Sequence, residues 1–125
     1  MTTLLNHAKA HFQTILQQEG LKCLQVPEWG KEGEPAKIYF KPLSSLPIKT
    51  YSQLVSLGMQ QNVESFVDIL ILRCLDENAN PLFKPLDKTE MLRHISPVVV
   101  CEIVKQMSDV DKESSVTLEM DAKNG

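Results

Sequence analysis

Several groups of residues in this chain have the types and spacing from which chemistry is built. His7 and His11 stand four apart, the interval of a helical metal pair. Such a site needs a third ligand, and none can be placed beside them; no Glu follows His7 to supply the base of a zinc hydrolase. They read as solvated histidines on a polar flank. Asp76, Asn78 and Asn80 alternate, and Asp87 lies eleven residues after the first, imitating the start and end of a calcium loop. Position six is Pro81 where that loop turns on a glycine, and the last ligand is Asp rather than a bidentate Glu. Turn-forming Asn and Asp account for the segment instead. Gly30-Lys31-Glu32-Gly33 lacks the spacing of a phosphate loop, and no helix begins directly after it.

The remaining chemistry is sparse. Paired carboxylates occur as Asp76-Glu77 and Asp109/Asp111, in a turn and near the end of the chain, where neither burial nor a neighbour tunes a pKa. His94 with Asp87 or Glu90 is the first hint a dispersed active site would give. Cys23, Cys74 and Cys101 are odd in number and widely spaced, and two sit in apolar helical stretches. With no basic, apolar leader at MTTLLNHAKA, they read as reduced thiols of a cytosolic protein. The motif search therefore points away from an enzyme, with no cofactor and no metal.

Charge narrows the class further. The net charge is −3, yet residues 1–107 hold 11 Lys/Arg and 11 Asp/Glu. Residues 108–125 hold two Lys against five acids and supply the whole imbalance. A body without a clustered basic surface argues against nucleic acid as partner. The apolar run from Ile69 to Leu72 is far short of the roughly 20 residues that span a membrane.

The elements that would position any site follow from periodicity. Val63, Phe66, Val67, Leu70, Ile71 and Cys74 form one helical stripe, thickened by Ile69, Leu72 and Leu75. A helix so nearly apolar all round belongs at the centre of a small domain. Asn62 caps it. Before it, Thr3 caps a helix to about Glu19 with the stripe Leu4, Leu5, Ala8, Phe12, Ile15 and Leu16. Leu21 to Val26 and Lys37 to Lys41 read as antiparallel strands joined by the polar loop EWGKEGEP. Thr50 caps a short helix from Tyr51 to Gln61, with Tyr51, Leu54, Val55 and Met59 directed inward. Asp87 with Glu90 opens a helix from Lys88 to about His94 as a capping box, and Ser96-Pro97 opens the last.

The expected fold is mainly α: one domain of about five helices with a short two-stranded antiparallel hairpin. Residues 1–107 form the body and residues 108–125 a disordered acidic tail. Trp29, the only tryptophan, is either a packing residue or a partner contact. Ile69 and Leu72 on the outer flank of the central helix, with Val98 and Val99 on the edge of the last, form the expected partner surface.

Four stretches, in this order, carry a resemblance: Val26-Pro27-Glu28-Trp29-Gly30; Ile38-Tyr39-Phe40-Lys41-Pro42-Leu43; Leu75 to Phe83 (LDENANPLF); and the helix opening Pro97-Val98-Val99-Val100. Over about residues 20–107 the chain resembles the tail assembly chaperones of long-tailed, lambdoid, non-contractile bacteriophages. It carries Ala79 where a turn of the DENGNPLF type has glycine. The resemblance implies a non-enzymatic protein of the host cytoplasm that coats the tape measure protein. It also implies help in recruiting tail tube subunits and absence from the finished virion, and leaves a homo-oligomer open.

Members of that family are often extended by a −1 ribosomal frameshift, and the resemblance implies the short form here. Ala122-Lys123-Asn124 can be encoded so as to read A AAA AAY across codons, a heptamer on which paired tRNAs slip back one base. The acidic tail would then link the body to a second domain that contacts the tail tube protein. The competing readings are a non-enzymatic adaptor or regulatory protein, which calls for a basic recognition helix, and a minor structural tail component, which calls for β-rich composition.

Overall fold

The computed structural model describes residues 3–124, with side chains for residues 3–112. Five α-helices and one antiparallel hairpin are present among them: α1 (Leu4–Gln18), β1 (Lys22–Lys31), β2 (Glu34–Phe40), α2 (Ile48–Gln60), α3 (Val63–Arg73), α4 (Lys88–His94) and α5 (Pro97–Asn124). The expected mainly α architecture with one hairpin is the one observed. None of these helices is long and apolar enough to cross a membrane.

The apolar α3 is the central helix its composition predicts, and α2, α4 and α5 all pack on it. Asn62 caps it as expected: its Oδ1 accepts from the Ser65 N–H at 2.7 Å, and the Ser65 hydroxyl donates to the Asn62 carbonyl at 2.7 Å. The helix stops at Arg73, two residues before the expected Leu75. Leu75 is instead taken into a β-bridge with Tyr39, exchanging backbone hydrogen bonds of 2.9 and 2.7 Å. A third short strand position thus joins the hairpin to the helical layer.

The core lies between hairpin and helices. Leu24 and Val26 of β1 and Ile38 and Phe40 of β2 alternate inward and meet Val67, Leu70 and Cys74 of α3. Val99, Val100, Ile103 and Met107 of α5, with Met91 of α4, close it from the other side. Fully burying each such side chain is worth about 1.5–3 kcal/mol, which is why these residues fix the topology. Leu24 pairs directly with Ile38 across the ladder, so a one-residue slip would turn the apolar face to solvent.

The hairpin departs from the sequence expectation. Most of EWGKEGEP is strand, and the true turn is the pair Glu32-Gly33, both at positive φ, between the paired residues Lys31 and Glu34. That is what a two-residue hairpin turn requires. A bulge between Val26 and Lys31 absorbs the surplus residues of β1. Gly30 sits in it, so close to the Glu34 carbonyl and the Pro35 Cα that a side chain would collide with backbone. The proline and glycines that look like loop residues in sequence are bulge and turn residues here.

Two caps also differ. Helix α2 starts at Ile48 behind Pro47, not at Thr50, and closes with Gln61 in the left-handed region. The Asp87 carboxylate accepts from the Lys84 N–H at 2.8 Å, capping a 3-10 turn over Pro85–Asp87 rather than α4 itself. Helix α5 does not end at Met107. It continues, and Val110 and Asp111 pack on the body, so the packed domain extends past the expected boundary at residue 108. The rest of the expected disordered tail, residues 113–125 of 108–125, lies outside the residues whose side chains are described.

Candidate functional site

The motifs that imitate chemistry are occupied with structure. The Asp76 carboxylate accepts from the N–H groups of Asn78 and Asn80 at 2.8 and 3.0 Å, holding the DENANP turn. Ala79 stands in that turn at φ +66°, the left-handed conformation that glycine adopts freely. His7 and His11 lie on exposed turns of α1, and no three His, Cys, Asp or Glu side chains converge among the described residues. His94 and Glu90 face each other at 3.6 Å on the open surface of α4, while Asp87 is committed to its turn.

What the fold does leave open is apolar surface, and its placement on α2 overturns the inward assignment made from sequence. Of Tyr51, Leu54, Val55 and Met59, only Leu54 is buried. Ile48, Tyr51, Val55 and Met59 are all exposed, and the spacing i, i+3, i+7 and i+11 sets them on one outward face. Ile48 is 85 % and Met59 77 % accessible. This stripe borders a groove of about 300 Å³ between α2, α3 and α5. Leu54, Ile69, Val104 and Met107 form its apolar floor and walls, and Gly58 leaves it open on the α2 side.

One end of the groove is polar and fixed. Arg73 donates to both carboxylate oxygens of Asp111 at 2.7 and 3.3 Å and to the Lys41 carbonyl at 2.8 Å. Its guanidinium lies 4.9 Å from the centre of the Phe40 ring. The side chains of Arg73 and Asp111 are only 6 % and 10 % exposed. One cation therefore ties together β2, α3 and the far part of α5, and it lines the groove together with Asp111. Next to it, burial pushes the Cys74 thiol up to about 12, against the opposing field of Arg73, so this cysteine is an inert core residue.

A second recess, of about 410 Å³, lies on the other side of α3, lined by Leu57, Ile71, Leu72, Pro85 and Lys88. Lys88 bridges Asp68 at 3.1 Å and Glu64 at 3.4 Å, and the hydrogen bond to Asp68 raises its pKa. Of the residues expected to meet a partner, Ile69 floors the first groove and is buried, and Leu72 lines the second and is exposed. Val99 is a core residue, while its neighbour Val98 is open to solvent. Trp29 is half-buried, its ring edge-on to Phe83 with centroids 6.3 Å apart. Ile69 and Val99 are thus buried, and Leu72 and Val98 are the two that stand open. Sequence reasoning missed the α2 stripe because an inward and an outward apolar row share that helix; the apolar side chains at Ile48 and Met59, beyond what one core face needs, were the available signal.

No family model and no curated protein matches the chain. Its fold is similar to the solved structure of the bacteriophage HK97 tail assembly chaperone, with a TM-score of 0.51 at 20 % identity, over 78 % of this chain and 92 % of that one.

Proposed function

We propose that this protein is a tail assembly chaperone of a long-tailed bacteriophage. It works without catalysis, in the host cytoplasm, by covering apolar helical stretches of the tape measure protein and helping to bring tail tube subunits to the growing tail. It leaves before the virion is complete. The observation that carries this reading is the fold, shared over most of both chains with a tail assembly chaperone.

The surface gives the mechanism its physical form. The α2 stripe and the groove beside it offer a client helix an apolar strip at helical spacing, the helix-in-groove mode of recognition. Ile69 serves as the floor of that groove, and Leu72 and Val98 extend the apolar surface around the body. Each copy then binds modestly, and many copies along one long client gain affinity through effective concentration. Residues 1–107 supply the binding body, with Asp111 completing it. The acidic stretch that follows is the linker to a frameshift-added domain in a minority of the product, reached by slippage at Ala122-Lys123-Asn124.

A nonsense mutation in the gene tests the reading. The expected result is filled heads without tails, restored by a plasmid copy, and purified wild-type particles that lack the protein by mass spectrometry. Normal tails from the mutant, or the protein present in virions in structural amounts, would overturn it. Slippage has its own check: A AAA AAY at codons 122–124, and a minor heavier product lost on synonymous recoding.

A further inference from the structure

Helix α1 stands apart from the body. It touches the body near the 3-10 turn Leu43–Ser45, and none of its residues is buried. Leu4 and Leu5, at 83 % and 63 % accessible, together with Ala8 and Leu16, leave the stripe open, and Phe12 and Ile15 are only half-covered. A helix of 15 residues is marginal in water without an apolar partner. Its cap is nevertheless well made, Thr3 Oγ1 accepting from the Asn6 N–H at 3.2 Å.

The stripe has the form of a pairing seam. Leu5, Ala8, Phe12 and Ile15 alternate at intervals of three and four, the a and d positions of two heptads. Lys9 and Leu16 border one edge, and Leu4 and His11 the other, with His7 beyond it on the same side. Lys9 and the two imidazoles are the only ionisable side chains from Leu4 to Gln18, and the helix has no carboxylate in a chain that has 16. A lysine therefore borders one edge of the seam and imidazoles the other, with no carboxylate in the helix to oppose Lys9.

We propose that α1 is a docking helix for a partner helix whose apolar seam is flanked by Asp or Glu. Two α1 helices from separate copies would match in their apolar rows but would bring Lys9 no carboxylate, so a second copy is the poorer occupant. The seam shares no residue with the α2 groove, and the inference stands independently of the function proposed above.

The test uses the full chain and two synthetic helices of about three heptads, each with Leu at a and d, one carrying Glu and the other Lys at the flanking positions. The Glu-flanked peptide is expected to bind at least about tenfold more tightly by fluorescence anisotropy, to protect residues 4–16 from hydrogen exchange, and to weaken with salt. Leu4→Gln with Leu5→Gln, both exposed and so without effect on the body's circular dichroism, is expected to abolish binding. Lys9→Glu is expected to reverse the preference. Equal binding of the two peptides, binding of neither, or binding that survives the double leucine variant would overturn the proposal. So would self-association of the free protein that the same variant abolishes, which would make a second copy the occupant.

Discussion

Replacing Asp111 by alanine removes the carboxylate that both Nη atoms of Arg73 reach, in a pair whose side chains are 6 % and 10 % exposed. The guanidinium would keep the Lys41 carbonyl and the face of Phe40, with its Nε already without a partner. Breaking a buried pair by removing one member costs about 3–5 kcal/mol, because the remaining charge is left uncompensated. The two surviving contacts place the expected loss near about 3 kcal/mol on that scale. For a domain of this size that is a fall in Tm of about 10 °C. Urea denaturation followed by circular dichroism measures it, with the change in midpoint rather than in slope carrying the effect. The double substitution Arg73→Met with Asp111→Leu should recover most of the loss, since apolar side chains of similar volume replace such pairs at little cost. A loss below about 1 kcal/mol for Asp111→Ala, the value of a solvated surface pair, would refute the reasoning. It would mean that the packed body stops near Met107 and that α5 is not anchored beyond it.

Other outcomes follow from single backbone and side-chain positions. Ala79→Gly relieves a left-handed residue and is expected to raise stability by about 0.5–1 kcal/mol in the same assay. Gly30→Ala drives a methyl group into the Glu34 carbonyl and the Pro35 backbone, and should cost about 2–3 kcal/mol and shift the amide resonances of the bulge. Cys74 holds its proton to about 12 when folded, against 9.0 for a free thiol, so between those values the unfolded chain ionises first. Stability should therefore be unaffected by this group below pH 9 and fall above it by about 1.4 kcal/mol per pH unit, a slope missing from Cys74→Ala. Thiol labelling should find Cys23 and Cys101 accessible and Cys74 protected until the protein unfolds.

Much of the fold was legible in the residue pattern because it depends on local rules. The apolar α3 announces a central position, Asn62 and Thr3 announce caps, and the alternation around Leu24 and Ile38 announces a half-buried hairpin. The misreadings share one physical origin, tertiary context acting on residues with two plausible roles. Leu75 continues the helical stripe of α3, yet pairing with Tyr39 takes it out of the helix. Pro27 and Gly30 look like loop residues, yet a bulge accommodates both within β1. Val110 and Asp111 sit in an acidic, serine-bearing stretch, and only the position of Arg73, 38 residues earlier, reveals that this turn of α5 is anchored. The candidate site was the least legible part. Apolar residues on α1 and α2 look like core in sequence, and nothing local says that the body has no matching surface to cover them.

The most direct measurement of the proposed chaperone role is co-expression of this chain with a tape measure protein encoded in the same genome. The account predicts that the tape measure protein is insoluble alone, becomes soluble with this chain and co-purifies with several copies of it. It also predicts that Val55→Glu with Met59→Glu, exposed positions that leave the core intact, abolishes the rescue. A tape measure protein that stays insoluble beside abundant, folded partner would contradict the account.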